Sequence, residues 1–412
     1  MFLDDIDKAL LGGEFGEPAR RAMRLLLPYG EVLGAGRFID IASAHIDSCL
    51  YHGRSGLDFV RYLQSGGGHV RVRTTLNVTA FDLEQPELSR VPGEAMRIQR
   101  DMVDAYLSLG CLPTMTCAPY QQAQRPGFGE HIAWAESNAI VFANSALGAR
   151  SDRYGDFTDI CAALAGRVPA AGLHLEENRR PVLLLDVPGP DETDLERDLY
   201  FAALGYLLGE IAGSRVVAIT GAPPDTSEDE LKAIGAAAAS SGGVALFHLV
   251  GVTPEAPTLA DLPGGSVAQR QGVSNMELAA AADRLCPAEN GEAVAALCLG
   301  TPHFSLAEFR DLAERVDGWQ PAPGVDLIVS TSRAIAEQVR AAPWAESLRS
   351  VGATLISDTC TYLVPTAIRS DGIIVTPSAK YAHYAHGNTG RRTALMSLAR
   401  CLRCAAAGRV VP

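Results

Sequence analysis

The chain has 412 residues, 47% of them hydrophobic and 20% charged, with a formal net charge of −13. Such a length exceeds one ordinary hydrophobic core and such a composition excludes extensive disorder, so two or three packed α/β units are expected. A diffuse negative field without any Lys/Arg run sets nucleic acid aside, while leaving room for a small anionic substrate in a locally positive pocket.

Acidic residues within Met1–Lys8 argue against a secretory leader. No apolar run reaches the length of a membrane span. Nine cysteines, an odd number scattered along the chain, suit a reducing cytosol with thiols free for metal or chemistry.

Taken in order, Pro18–Leu27 has helical spacing of Ala19, Met23, Leu26 and Leu27. Phe38–Ala42 and Val70–Thr74 read as strands, the second after the turn Gly66–Gly68. Pro92–Leu109 reads as a helix with proline at its start. Glu136–Leu147 is apolar almost all round, implying a buried helix, and its polar residues Ser137, Asn138, Asn144 and Ser145 fall near one face. That stripe must be satisfied by something. Strands follow at Val182–Asp186, Val216–Ile219 and Val244–Leu249, with a helix over Asp191–Ile211. Beyond residue 293, strands at Val294–Leu299, Asp326–Ser330, Thr354–Ser357 and Ile373–Thr376 alternate with helices at Leu306–Arg315, Arg333–Ala341 and Arg391–Ala407. The pattern is a multi-domain α/β chain with doubly wound, mostly parallel sheets. Breaks near Arg180 and Asn290 divide it into an N-terminal domain (1–180), a middle domain (181–290) and a C-terminal domain (291–412) carrying Cys360 and Lys380.

Ligands of open parallel sheets bind beyond the carboxyl ends of the strands. Those ends carry His45, Asp47 and Cys49; Thr74, Thr75 and Asn77; Thr301 and His303; Asp358 and Cys360; and Ser378 and Lys380. A lone cysteine is most often a small buried hydrophobe, and Cys161, Cys286 and the helical pair Cys401/Cys404 are read that way. Cys117 and Cys360 differ in sitting in turns near prolines (Pro119, Pro365), from which a thiolate can reach out. His45 and His303 are equally readable as proton-transfer groups or as satisfied structural residues, and His383 and His386 as pocket or surface groups. Lys380, near a helix start, suits a carboxylate or phosphate. No dinucleotide fingerprint, phosphate loop or nucleophile elbow occurs.

Ten segments together resemble one family. They are Ala44–Cys49, Thr74–Asn77, Thr116–Tyr120, Glu136–Ala139, Phe142–Ser145, Arg153–Asp156, Gly251–Glu255, Pro302–Ser305, Asp358–Cys360 and Ser378–Tyr381. Their order and nearly end-to-end spread are similar to aconitase X, a divergent branch of the aconitase superfamily. The resemblance implies dehydration of a small hydroxy-acid at a cysteine-held iron–sulfur centre. It also implies a swivelling domain, which is expected here as a separate small subunit.

Cys117 and Cys360 match expected metal-ligand positions. Where some relatives have a cysteine, this chain has Thr301, so Cys49 is the preferred third ligand and Cys298 the runner-up. The centre is left open between 2Fe-2S, 3Fe-4S or 4Fe-4S, and mononuclear iron. Lys380 with Ser137 is expected to bind the substrate carboxylate or assist proton transfer, and His45 and His303 to orient the hydroxyl or tune the metal. Thr74, Thr75, Asn77, Asn138, Asn144 and Tyr154 are expected to line the substrate. Of the family's activities, cis-3-hydroxy-L-proline dehydration is expected over mevalonate 5-phosphate dehydration. Rival classes are a nicotinamide oxidoreductase and an iron-responsive binding protein without catalysis.

Overall fold

A computed structural model describes residues 1–121, 125–363 and 368–412; Pro365 therefore lies outside the described residues. Three parallel sheets follow one another along the chain. In the first part, strand β1 (Phe38–Asp40) precedes β2 (Ser43–Ile46), β3 (Arg73–Leu76), β4 (Ala133–Trp134) and β5 (Arg167–Pro169). The three-stranded parallel sheet has the order β3-β2-β4, while β1 and β5 form a separate antiparallel ribbon. The expected strand Phe38–Ala42 is thus divided between two partners. The Val70–Thr74 strand moves to Arg73–Leu76, because His45 pairs in register with Thr75.

The middle part holds β6 (Leu183–Asp186), β7 (Val217–Thr220), β8 (Phe247–Leu249) and β9 (Gln269–Gly272), ordered β8-β7-β6-β9. The helix expected from Asp191 begins only at Arg197, after a single 3-10 turn at Pro190–Glu192. A helix at Glu228–Ser241, capped reciprocally by Ser227 and Glu230, packs along the Arg197–Ala212 helix. There Gly205 and Gly209 let the backbones approach: a Cβ on Gly205 would lie 2.4 Å from the Ile234 carbonyl oxygen.

The last part holds β10 (Val294–Leu299), β11 (Asp326–Ser330), β12 (Thr354–Ile356), β13 (Ile373–Thr376) and β14 (Thr393–Leu395), ordered β12-β11-β10-β13-β14 and all parallel. β10 and β13 are buried along their whole length, as expected of strands covered on both faces. The stretch Arg391–Ala407, expected as one helix, is an edge strand followed by a helix at Leu398–Ala407 that Ser397 caps. A three-residue buried strand paired with β13 wins over the helical spacing that runs through it. Among the described residues no helix is long and apolar enough to cross a membrane.

Sheet order fixes where a ligand can sit. The chain steps from β10 to β11 on one side and places β13 on the other, so a crevice opens beyond the carboxyl ends of β10 and β13. The first sheet does the same around β2, with β3 on one side and β4 on the other. Arg179, fully buried, helps hold the N-terminal part against the middle one. Its Nε meets Glu255 at 2.8 Å, and its other nitrogens donate to Asn144 Oδ1 and to the carbonyls of Asn144, Ala149 and Leu173. Replacing Arg179 by Ala strands a buried carboxylate and four acceptors, so stability should fall by about 3–5 kcal/mol. Urea unfolding of the two proteins measures this; a loss below about 1 kcal/mol would contradict it.

Candidate active site where two parallel sheets face each other

The carboxyl ends of the first and third sheets converge on one buried cluster. Cys117 follows the β3 side of the first sheet, and Cys360 follows β12. Their Sγ atoms lie 3.6 Å apart, both buried, and all nine cysteines are free thiols. Ligand atoms of Cys117, Cys360 and His303 all lie within 4.8 Å of one another. Each thiol is presented by a turn with an unusual backbone. Met115 and Asp358, two residues before Cys117 and Cys360, have φ of 36° and 64°. For non-glycine residues this is a costly conformation that surrounding structure must hold. At Asp358 the holding groups are Arg333, which ion-pairs with the carboxylate (Nε–Oδ1 2.7 Å), and Leu83, whose amide donates to Oδ2 at 3.2 Å. Gly300 closes the turn after β10; a Cβ there would meet the Ser330 carbonyl oxygen at 1.9 Å.

His303 reaches the cluster through a backbone amide that donates to Cys117 Sγ at 3.2 Å. Both ring nitrogens are engaged, Nδ1 with the Thr116 hydroxyl at 3.0 Å and Nε2 with the Thr359 carbonyl at 3.1 Å. Burial lowers the imidazole to about 4, so the ring is neutral.

Beside the thiols, Lys380 Nζ meets Glu136 Oε1 at 2.6 Å and Ser137 Oγ at 3.5 Å. Lys380 caps the crevice beyond β13, and Glu136 follows β4, so this pair crosses between sheets. Glu136 also accepts from the Ala139 amide at 2.7 Å, capping the helix Ser137–Ser145. Burial works against charge on both partners. Attraction to Glu136 nevertheless holds the Lys380 ammonium well above its usual range, and Lys380 holds Glu136 below its own. Both are therefore ionised at neutral pH. A cleft of about 200 Å³ reaches Lys380 past Thr301, Ser378 and Lys232.

The remaining residues singled out in the sequence divide into two groups. His45 Nδ1 meets Thr75 Oγ1 at 2.8 Å, and burial lowers His45 to about 4. Asn77 donates to Asp47 in a very short contact. Asn138 donates to the Cys117 carbonyl at 3.1 Å and the Tyr120 hydroxyl at 2.8 Å. These line or underlie the crevice. Elsewhere, Asn144 is taken up by Ser151, Ala245 and Arg179, and Tyr154 bonds His174. Thr74 turns back to the Val72 carbonyl at 2.9 Å. Cys49 points its Sγ at the carbonyls of Ile46 and Asn77, both at 3.4 Å, behind the strand end that brings Val78 to the thiols. Cys298 packs among Ala296, Ile328 and Tyr381. Cys401 and Cys404 are buried in the C-terminal core, and His383 lies against Tyr206 and Tyr384.

Sequence reading assigned Glu136 no role and placed Asp47 at a strand end without one. A carboxylate one residue before a buried helix was the signal for the first, and a strand-end acid the signal for the second. The donor set fits a thiophilic metal or cluster. Two unbonded thiols meet in a buried site, and around them Asn138 Oδ1, Thr301 Oγ1 and Thr359 Oγ1 are buried without a hydrogen-bond partner among the described residues.

Three family models match in succession: Aconitase X first domain over residues 1–177, second domain over 181–282 and third domain over 294–407. The chain is 42% identical over 415 residues to the cis-3-hydroxy-L-proline dehydratase of Pseudomonas aeruginosa, covering 99% of this chain and 70% of that protein. It is 37% identical over 395 residues to the phosphomevalonate dehydratase large subunit of Methanothermobacter thermautotrophicus, covering 95% of each. Among solved structures it is similar to holo-form aconitase X of Thermococcus kodakaraensis, with a TM-score of 0.85, 30% identity and coverage of 98% and 99% of the two chains.

Replacing Lys380 by Met should destabilise the fold by about 3–5 kcal/mol at pH 7, because Glu136 is then ionised and unpaired or must bind a proton. Glu136 is held below its usual value, so its contribution exists above the unfolded carboxylate pKa and fades as pH falls through the folded one. The difference between wild type and Lys380→Met should therefore shrink below about pH 4. Urea unfolding at pH 7 and at about pH 3 tests this; an equal difference at both would contradict it.

Proposed function

The chain belongs to the aconitase X family and is a dehydratase, and from that premise we propose that it removes water from cis-3-hydroxy-L-proline. The observation that carries the chemistry is the 3.6 Å approach of the Cys117 and Cys360 sulfurs beside the Lys380–Glu136 pair. The preference for this substrate over mevalonate 5-phosphate rests on the higher identity, 42% against 37%, to the relative that bears its name.

In this reading Cys117 and Cys360 hold an iron–sulfur centre, which when bound supplies a Lewis acid for the departing hydroxyl oxygen. The Thr116 and Thr359 contacts fix the ring of His303, whose backbone amide tunes the Cys117 sulfur. The Lys380 ammonium binds the substrate carboxylate, shared with Glu136 and steadied by Ser137. Asn138, Asn77 and Thr75, with His45 behind, shape the opposite wall. The Cys49 sulfur lies behind the Asn77 carbonyl, so we assign it to packing.

A small partner chain completes the enzyme; the phosphomevalonate relative's printed name, a large subunit, supports that arrangement. A reducing cytoplasm, which keeps nine cysteines as thiols, is its proposed location.

The test is anaerobic purification with the candidate small subunit, reconstitution with iron and sulfide, and incubation with each substrate. Turnover of cis-3-hydroxy-L-proline to pyrroline-2-carboxylate is expected, with iron and turnover both lost in Cys360→Ala. Turnover of mevalonate 5-phosphate alone would overturn the substrate, and an active, iron-replete Cys360→Ala protein would overturn the metal site.

A further inference from the structure

The two thiols, His303, Lys380 and Glu136 come from the first and third parts of the chain. A buried cation reaches them from the middle part. Lys232 lies on the helix Glu228–Ser241 and is 3% exposed. Its Nζ donates to the His303 carbonyl at 3.4 Å. It also pairs with Asp229 Oδ1 at 2.8 Å and with Glu308 Oε2. Both carboxylates pass the hold on to Ser305. Asp229 Oδ2 accepts from the Ser305 hydroxyl and Glu308 Oε2 from the Ser305 amide, each at 2.7 Å. One ammonium therefore grips His303 directly and Ser305 through two intermediaries.

The segment held in this way is the one that meets the metal pair. The His303 amide donates to Cys117 Sγ at 3.2 Å. Lys232 and the Cys117 sulfur thus take opposite ends of one residue's backbone. Gln121 Nε2 shares the His303 carbonyl at 3.1 Å, but it is neutral, and a charged donor makes the stronger bond. Neighbouring carbonyls have their own donors: the Ser378 hydroxyl for Thr301, and the Thr331 hydroxyl for Phe304 at 2.8 Å. Residues 301 and 304 are fixed from the third sheet, and 303 and 305 from the middle helix.

Fastening a helix to a turn does not require charge. Replacing a buried group of charges by packed apolar side chains is often neutral or stabilising. What a charged hydrogen-bonding hub supplies is direction, because each partner is held at a set distance and angle. Here the direction imposed is that of the His303 backbone.

We propose that Lys232 is a positioning residue for the metal pair: it keeps the His303 amide aimed at the Cys117 sulfur, so that the middle part of the chain sets how tightly the thiols hold a metal. The inference rests on the reading of Cys117 and Cys360 as metal ligands.

The experiment titrates the metal-free chain anaerobically with Cd²⁺ and takes the Kd from the thiolate-to-metal ultraviolet band. Lys232→Met should weaken Cd²⁺ binding about 10–100-fold, the usual effect of losing a group that orients a metal ligand. Lys232→Arg keeps the charge and the donors and should recover most of the affinity. Arg179→Ala loses stability without touching this turn and should bind Cd²⁺ as the wild type does. If Lys232→Met does not fold, the double variant Lys232→Met/Glu308→Gln, which leaves one unpaired carboxylate instead of two, takes its place with the same expected loss. A Lys232→Met Kd within a few-fold of wild type would overturn the proposal. Equal weakening in Arg179→Ala would overturn it too, by making the loss one of stability alone. A wild-type band that ignores both Cys117→Ala and Cys360→Ala sinks the metal reading itself, and this inference with it.

Discussion

A buried lysine has to find its counter-charge, and here it finds it on another sheet. Lys380 stands beyond β13 and Glu136 beyond β4, 244 residues apart in sequence and 2.6 Å apart in space. Neither charge tolerates burial alone, because removing an ammonium or a carboxylate from water costs several kcal/mol. The pair therefore dictates how the carboxyl ends of the first and third sheets meet. With that meeting fixed, the turns carrying Cys117 and Cys360 bring their sulfurs to one point. Lines of hydrogen bonds run the same way: Thr79 donates to the Asp358 carbonyl, and Ser357 donates to Asp82.

The division of labour among polar groups follows from satisfaction. Groups whose hydrogen-bonding capacity is used up within the protein hold the architecture: Arg179, Asn144, Glu136 and the His303 ring are of this kind. Groups with capacity left over are where a ligand can be recognised. Asn138, Thr301 and Thr359 carry such unused acceptors or donors beside the thiols, while others, such as Arg20 Nε and His248 Nδ1, lie elsewhere in the molecule.

Much of the third sheet was legible from sequence, since β10, β11 and β13 are continuous apolar runs bounded by turns, and covered parallel strands leave that signature. β4 was not, because two residues carry no period. The helix Glu228–Ser241 was passed over although Ser227 and Glu230 form a capping box; its alanine-rich body gives a weak hydrophobic contrast. β14 was absorbed into the helix that follows it, as three buried residues cannot outweigh ten with helical spacing. The polar stripe on Ser137–Ser145 was read as one feature. In the structure it serves four ends: Ser137 toward Glu136 and Lys380, Asn138 toward the thiol turn, Asn144 toward Arg179, and Ser145 accepting from the Phe247 amide at 2.9 Å. Periodicity places a side chain on a face but does not name what lies opposite. For the same reason the Glu136–Lys380 partnership, made between distant segments, had no local signal.

The central claim is that sulfurs from two sheets form one metal-binding pair. Titration of the metal-free chain with Cd²⁺ under anaerobic conditions, followed by its thiolate-to-metal ultraviolet absorption, tests that most directly. We expect a saturable band that disappears in Cys117→Ala and in Cys360→Ala and survives in Cys49→Ala and Cys298→Ala. A band that survives loss of Cys117 or of Cys360 would contradict the account.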